Sequence, residues 1–246
     1  MPTDASEVPS QPQPFAYPLT NLAARLRLAE RPPVKIVALG SSTTAGEGNI
    51  VAYPYRLEAL LRAKYAPQDR PHPMIDVLNR GIGGEEAPAE FQRLQQDVVI
   101  EQPSLVIWQF GTNSVWQPPD QHPPSLAKTI GAVRGGIALL RQACGADIIL
   151  MDPQYTPAML TPEKIAATDA MVDAIARLAD ELNVNLFRRF ASMRRWHEVE
   201  NVPLALLVDP TDSGQLHDSD WTTQLLTQLL MDQIADAVAR ANELAS

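Results

Sequence analysis

The chain has 246 residues, of which 45% are hydrophobic, and it carries a net charge of -9. This length and composition suffice for a full hydrophobic core, and a negative charge without a run of Lys or Arg argues against a nucleic-acid-binding protein. The single cysteine excludes an internal disulfide, and no apolar stretch reaches the roughly 18 to 20 residues that a membrane-spanning helix needs. We therefore expect a globular domain without a membrane span and without nucleic acid as a partner.

The first 17 residues are rich in Pro, Ser, Gln and acidic residues, and they lack the basic start and the apolar stretch of a signal peptide. The chain as it stands is therefore expected in the cytoplasm; with a leader removed, it would be periplasmic or secreted. We expect an extended lead followed by a short helix from Leu19 to Leu28. On this basis residues 1–32 form an N-terminal lead and residues 33–246 form one domain.

Buried strands alternate with amphipathic helices along the rest of the chain. Apolar runs of strand length predict strands at residues 34–39, 74–78, 105–110, 147–151 and 184–187. Helical spacing predicts helices at residues 53–65, 90–99, 126–142, 162–182, 188–198 and 222–244, the last with Ser219 or Asp220 as its N-cap. The alternation predicts a three-layer α/β/α fold with a central, five-stranded parallel sheet.

Polar turns follow three of these strands, at the edge where ligands bind in open α/β sheets. The turns are Gly40-Ser41-Ser42-Thr43, Asn79-Arg80-Gly81-Ile82-Gly83-Gly84 and Gly111-Thr112-Asn113, and Leu216-His217-Asp218 precedes the last helix. Ester hydrolysis needs a hydroxyl nucleophile with a base, and donors aimed at the developing oxyanion. A serine, a glycine N–H, an asparagine amide and a late histidine meet that requirement.

Other interpretations of these residues are weaker. The glycines of the second turn lack the Gly-x-Gly-x-x-Gly spacing of a dinucleotide loop, and the first turn is neither a P-loop nor a Gly-x-Ser-x-Gly elbow. His197 is a rival base, but its helical context favours packing or surface exposure. Four scattered histidines and one cysteine show no metal-ligand spacing, so we expect no metal and no cofactor.

The four blocks resemble those of the SGNH (GDSL-type) hydrolases, a family named for a Ser, a Gly, an Asn and a His. The first block is usually Gly-Asp-Ser-Leu, the second often reads Asn-x-x-x-x-Gly, and the third is Gly-x-Asn-Asp. Here the blocks occur in family order and span residues 36–220. The resemblance implies a flavodoxin-like SGNH hydrolase fold with Ser42 as nucleophile and His217 as base. It also implies an oxyanion hole made by the N–H groups of Ser42 and Gly84 and the side-chain amide of Asn113.

The chain departs most seriously from the family pattern at the acid that orients the histidine. The family keeps an Asp three residues before its His, and Gly214 stands there in this chain. In one hypothesis a loop longer by two residues lets Asp212 reach the Nδ1 of His217. In the other the acid is absent and a backbone carbonyl orients the imidazole; Asp209, eight residues before the histidine, is a further candidate. We favour Asp212, because an acid here holds the required tautomer and stabilises imidazolium.

The resemblance implies hydrolysis of carboxylic esters through an acyl-enzyme, and acetylated sugars, lysophospholipids, thioesters and short acyl esters are all substrates within the family. No long apolar tunnel is visible, so we favour small acyl groups on a small-molecule or carbohydrate ester. Trp116 is a candidate wall of the substrate pocket. Glu85 either lines the mouth of the site or, together with Glu86, caps the next helix, which we favour.

Two alternatives keep the same fold. One is an O-acyltransferase that moves the acyl group to a sugar hydroxyl. The other is a catalytically impaired protein that binds carbohydrate or serves in assembly, an interpretation that the glycine three residues before the histidine favours. The sequence gives no oligomeric state.

Overall fold

A computed structural model describes residues 13–28, 33–46, 48–65 and 74–245. All strands of its single sheet are parallel and follow the order β2-β1-β3-β4-β5. The strands are β1 (Val34–Gly40), β2 (Ile75–Gly81), β3 (Leu105–Gln109), β4 (Asp147–Met151) and β5 (Asn185–Phe187). This is the flavodoxin-like strand order, and it confirms the predicted α/β class and the five-stranded parallel sheet.

Helices cover both faces of this sheet. They are α1 (Thr20–Arg27), α2 (Ser42–Ala45), α3 (Tyr53–Tyr65), α4 (Ala87–Asp97), α5 (Thr112–Trp116), α6 (Leu126–Ala143), α7 (Ile165–Leu182), α8 (Arg189–Glu198), α9 (Leu204–Leu207) and α10 (Asp220–Leu244). None of the helices in the described ranges combines the length and the apolar content that a membrane crossing requires.

Strand β1, which lies between β2 and β3, contributes side chains to two separate hydrophobic cores. Ile36 and Ala38 point to the core that contains α1, α3 and α10. Val37 and Leu39 point to the opposite core, which contains α4, α6 and α7. All four side chains are fully buried. Because successive side chains of a strand alternate between faces, an uninterrupted apolar run produces this two-sided burial and the three-layer architecture.

The N-terminal helix packs on the same core as the last helix. Leu19 and Leu22 are buried, and Phe15 is buried although the composition around it predicts a loosely packed lead. The backbone N–H of Tyr17 donates to Asn185 Oδ1 over 2.9 Å. Residues 13–28 therefore share the core of the domain, while the predicted boundary at residue 32 lies outside the described residues.

The helix that follows the candidate histidine has a defined start. Ser219 is its N-cap, and the Ser219 side chain accepts a hydrogen bond from the backbone N–H of Thr222. Of the two N-caps that the sequence predicts, the structure uses Ser219, whose short side chain satisfies one unpaired N–H of the first turn. The cap fixes the residues just before it, which include His217.

Candidate active site

The polar turns predicted from the sequence meet at one edge of the sheet. Strand β1 lies between β2 and β3, with Gly40 opposite Gly81 and Leu39 opposite Trp108. The carboxyl ends of three adjacent parallel strands are therefore side by side. The sequence places each polar turn directly after one of these ends, and the parallel pairing brings them together.

The turn after β1 directs two neighbouring serines in different directions. Ser41 points inward: its N–H and its hydroxyl both donate to Gln109 Oε1, over 3.1 and 3.2 Å, and Thr44 Oγ1 donates to the same oxygen. Ser42 is the first residue of the short helix α2. Gln109 was not identified by the sequence reasoning, although a polar residue at the end of an apolar strand was the available signal.

The imidazole of His217 faces the hydroxyl of Ser42. His217 Nε2 lies 3.0 Å from Ser42 Oγ, and His217 Nδ1 lies 2.9 Å from Asp212 Oδ2. A neutral imidazole carries one proton, and the carboxylate requires that proton on Nδ1. Nε2 is then left as an acceptor for the Ser42 proton, which is the tautomer that a general base needs.

The carboxylate of Asp212 is held in its ionised form. Burial opposes ionisation, but the backbone N–H groups of His217, Leu216 and Gly214 all donate to the carboxylate and, together with the imidazole, hold the pKa of Asp212 below its ordinary value. Hydrogen bonds donated to a carboxylate favour its charged form. The group beside His217 Nδ1 is therefore an anion that can stabilise an imidazolium.

A tight turn explains how an acid five residues away reaches the histidine. The backbone N–H of Gln215 donates to the carbonyl of Asp212 over 3.0 Å, and Gln215 has a positive φ of 52°. The turn folds residue 212 back beside residue 217.

The other candidate acid, Asp209, has different partners for its side chain. It accepts hydrogen bonds from the N–H and hydroxyl of Thr211, both over 2.8 Å.

The end of β2, which leads into the loop that contains Gly84, approaches α2 very closely. A Cβ atom built on Gly81 would lie 2.2 Å from the backbone N of Ala45, so only glycine fits there. Asn79 fixes the start of the loop, since its Oδ1 accepts the N–H of Gly81 and its Nδ2 donates to the carbonyl of Ala45. Gly84 follows with φ +79°, in the left-handed region that favours glycine.

Two side chains from the turn after β3 hold this loop. Asn113 Nδ2 donates to the carbonyl of Glu85 over 2.7 Å, and Gln117 Nε2 donates to the carbonyl of Gly84 over 3.1 Å. An amide nitrogen carries two hydrogens, so Asn113 retains one for another acceptor. Among the described residues, no acceptor takes the N–H of Gly84. Two of the three predicted oxyanion donors therefore lie on contacting loops.

A buried polar network lies beneath the histidine. Gln154 Oε1 accepts hydrogen bonds from Thr112 Oγ1 over 2.8 Å and from Arg189 Nη2 over 2.7 Å. Its amide nitrogen donates to the carbonyl of Leu216 over 3.1 Å. Burial raises the pKa of Asp218 to about 6, although Arg189 opposes the shift. The network ties the residues that precede Asn113 and His217 to each other.

A small cleft opens beside the serine and the histidine. Its volume is about 280 Å³ when the solvent at its open mouth is included. Its lining is Ser42, Thr43, Gly46, Ile50, Ala52, His217, Asp218 and Thr223. Apart from Ser42, His217 and Asp218, the lining consists of glycine, alanine, isoleucine and threonine, so the space next to Ser42 suits a small group.

The two candidate pocket residues have defined partners. Trp116 packs with Ala158, Met159 and Leu216, and Lys164 Nζ lies 5.6 Å from the centre of its ring. Glu85 is in an ion pair with Arg93 over 2.7 Å, which offsets the negative charge that the sequence alone places at the mouth. Glu86 stands at the N-cap position of α4 without a capping side-chain hydrogen bond.

The rival histidine points elsewhere. His197 Nδ1 lies 2.8 Å from the carbonyl oxygen of Val202, and its ring lies beside Tyr155.

Within the described ranges, no three His, Cys, Asp or Glu side chains are arranged to hold a metal ion.

Comparison with solved structures finds the same fold. A lipase/acylhydrolase from Enterococcus faecalis is 22% identical with a TM-score of 0.64, over 81% of this chain and 94% of the other. Axe2, an acetylxylan esterase from Geobacillus stearothermophilus, is 22% identical with a TM-score of 0.66, over 81% and 93%. LAE5, an alpha/beta hydrolase from the metagenome of Lake Arreo in Spain, is 20% identical with a TM-score of 0.65, over 84% and 95%.

No curated protein matches the chain. The sequence model of the non-GDSL lipase-like family matches residues 5–240, which cover all four blocks and nearly the whole chain. This description suits a first block that reads Gly40-Ser41-Ser42-Thr43 instead of Gly-Asp-Ser-Leu. The resemblance inferred from the four blocks is thus confirmed, and the chain belongs to the non-GDSL lipase-like family.

Proposed function

We propose that this protein is a serine esterase that hydrolyses carboxylic esters through an acyl-enzyme. The observation that carries the proposal is the unbroken contact from Asp212 through His217 to the Ser42 hydroxyl, with distances of 2.9 and 3.0 Å. A hydroxyl, a base and an oriented acid within hydrogen-bonding distance form the arrangement that activates a serine nucleophile.

The reaction follows from these contacts. Ser42 Oγ attacks the ester carbonyl while His217 Nε2 accepts the serine proton. The negative charge on the carbonyl oxygen is stabilised by the N–H groups of Ser42 and Gly84 and by the free amide hydrogen of Asn113. His217 then protonates the leaving alcohol, and water releases the acid from Ser42 by the same steps. The chemistry needs no cofactor.

The substrate proposal is a short acyl ester, with an acetyl group on carbohydrate as the favoured case. The short walls of the cleft beside Ser42, which include Ile50 and Ala52, support a small group there. The acetylxylan esterase of the same fold is consistent with this choice. The contact between Asp212 and His217 supports an active enzyme over the catalytically impaired alternative, which the glycine at position 214 favours.

A fluorophosphonate probe tests the proposal, because it labels only activated serines. We expect labelling of the intact protein and complete loss in Ser42→Ala. The matched control is Ser41→Ala, since Ser41 bonds Gln109 and does not face the histidine. Labelling that persists in Ser42→Ala, or that is absent from the intact protein, would contradict the proposal.

A panel of p-nitrophenyl esters tests the substrate class. We expect acetyl and propionyl esters to be turned over fastest and long-chain esters to be poor substrates. Equal turnover of long-chain esters would contradict the small-acyl proposal. Preferential transfer of the acyl group to an added sugar over water would favour the acyltransferase alternative.

A further inference from the structure

One arginine joins the elements that surround the proposed oxyanion hole. Arg93 extends from α4, and its Nε donates to Glu85 Oε2 over 2.7 Å while Nη1 donates to Asp97 Oδ2 over 2.7 Å. Its Nη2 donates to the carbonyl of Arg80 over 2.8 Å and lies 3.4 Å from the carbonyl of Gly40. One planar group therefore contacts the ends of both β1 and β2.

These contacts fall next to the proposed donors. Gly40 stands two residues before Ser42, and Glu85 directly follows Gly84. The carbonyl of Glu85 accepts the hydrogen bond of Asn113 Nδ2. Arg93 thus contacts, by way of Gly40 and Glu85, the two backbone segments that carry the N–H groups of Ser42 and Gly84. The third donor, the side-chain amide of Asn113, bonds the carbonyl of the same Glu85.

The ion pair between Arg93 and Glu85 also affects the charge near the proposed oxyanion hole. The side chains of Arg93 and Glu85 are only 12% and 19% exposed, so water screens the pair poorly. Without the guanidinium, the carboxylate of Glu85 would be an unpaired negative charge on the residue that directly follows Gly84, one of the proposed oxyanion donors. Like charges in a poorly screened site repel strongly. By pairing with Glu85, Arg93 removes that repulsion.

We propose that Arg93 is the positioning residue of the oxyanion hole. It holds Glu85 so that the Gly84 N–H and the Asn113 amide converge on one point, and it neutralises the carboxylate next to that point. The proposal rests on the proposed function. Arg93 acts through Glu85 and the loop backbone and does not itself touch the substrate.

The first test is Arg93→Met, assayed with p-nitrophenyl acetate. Loss of one complete oxyanion donor costs about 100- to 1,000-fold in kcat, so partial misplacement is expected to cost about 10- to 100-fold. KM should change little, because the oxyanion exists only in the transition state. Arg93→Lys keeps the positive charge but loses the planar guanidinium that makes several hydrogen bonds at once. Its kcat should lie between that of the intact protein and that of Arg93→Met.

The matched control is Arg62→Met. Arg62 also extends from a helix, and it bonds the carbonyl of Ile75 at the opposite end of β2 and the carboxylate of Asp76. We expect its kcat to equal that of the intact protein. An Arg93→Met variant with unchanged kcat, or with a loss no larger than that of Arg62→Met, would overturn the proposal.

Combining Arg93→Met with Glu85→Gln tests whether Arg93 acts on the reaction by neutralising the Glu85 carboxylate or only supports the structure in general. Removing the carboxylate also removes the unpaired charge, so the double variant should recover part of the kcat lost in Arg93→Met. Losses that simply add would overturn the electrostatic role. If Arg93→Met does not fold, the same comparison is made with Arg93→Lys. Ser42→Ala distinguishes the two proposals. A Ser42→Ala protein that keeps its esterase activity refutes the acyl-enzyme on Ser42, on which the role of Arg93 rests. An inactive Ser42→Ala protein together with an unaffected Arg93→Met protein refutes only the role of Arg93.

Discussion

His217 Nε2 and Ser42 Oγ lie 3.0 Å apart although 175 residues separate them in the chain. Ser42 lies just after the end of β1, and His217 lies in the loop between α9 and α10, where Val208 and Asp218 form an isolated β-bridge. Their side chains are within hydrogen-bonding distance. We expect such preorganisation to lower the cost of reaching the transition state.

Asp212→Asn should lower kcat by about 100- to 10,000-fold, because an amide that donates to Nδ1 forces the imidazole into the wrong tautomer. The Ser42 hydroxyl should still react slowly, so the fluorophosphonate probe, which loses fluoride as its phosphorus bonds the serine oxygen, should label the variant over longer times. Steady-state kinetics with p-nitrophenyl acetate measure the effect.

Asp209→Asn is the control for this substitution. The side chain of Asp209 accepts hydrogen bonds from Thr211 in the following turn, and an Asn at this position keeps a carbonyl oxygen for those donors. A large loss of kcat in Asp209→Asn together with normal turnover in Asp212→Asn would transfer the acid role to Asp209.

Asn113→Ala should reduce kcat by about 100- to 1,000-fold with little change in KM, as expected for one lost oxyanion donor. The neighbouring Ser114→Ala removes a hydroxyl that contacts Thr129 Oγ1 at 3.0 Å and should leave kcat unchanged. Equal kinetics for the two variants would exclude Asn113 as a donor.

Gly81→Ala should destabilise the protein by about 3 kcal/mol or more and also lower kcat, because overpacking displaces the backbone. The added Cβ would lie 2.2 Å from the backbone N of Ala45 and would push α2, which carries Ser42. Chemical denaturation measures the free energy of unfolding.

Gly84→Ala is the control for Gly81→Ala, because it adds the same methyl group to a nearby glycine that has open space around it. A Cβ on Gly84 meets no atom within 4 Å, so its cost should be only the about 1 to 2 kcal/mol of a left-handed backbone conformation. A Gly84→Ala variant less stable than Gly81→Ala would contradict the close approach of β2 and α2.

Glu90→Gln should make stability less dependent on pH. Glu90 is fully buried and accepts a hydrogen bond from Trp108 Nε1 over 2.7 Å. Burial raises its pKa from the ordinary 4.5 to about 8. The folded protein therefore keeps a proton that the unfolded chain has lost, so its contribution to stability is complete below about pH 4.5 and is lost as the pH rises to about 8.

Thermal unfolding at about pH 5 and about pH 8 checks this prediction, and the Glu90→Gln protein should gain most relative to the intact protein at about pH 8. Burial also raises the pKa values of Asp152 and Asp218 to about 6. These two residues make the stability of both the intact and the Glu90→Gln protein fall with rising pH, at lower pH than Glu90 does. Parallel pH curves for the two proteins would show that Glu90 does not titrate in this window.

Apolar periodicity predicts the long elements well, because burial on one or two faces leaves a regular trace in the sequence. All five strands and the six helices assigned by helical spacing after β1 occur near their predicted positions. The short helices α2 and α5 were not predicted, since four or five residues carry no measurable period. These are the elements that begin with Ser42 and place Asn113.

The sequence by itself determined the order of the strands and helices, the family, and the four residue types that the chemistry requires, because strand ends and turn residues leave local signals. Only the tertiary structure shows that Asp212, and not Asp209, contacts the imidazole, because a single tight turn of the backbone sets which carboxylate reaches it. The structure alone also revealed Gln109 and Arg93. Their roles depend on contacts between elements distant in the chain, and a contact of that kind leaves no pattern in a single sequence.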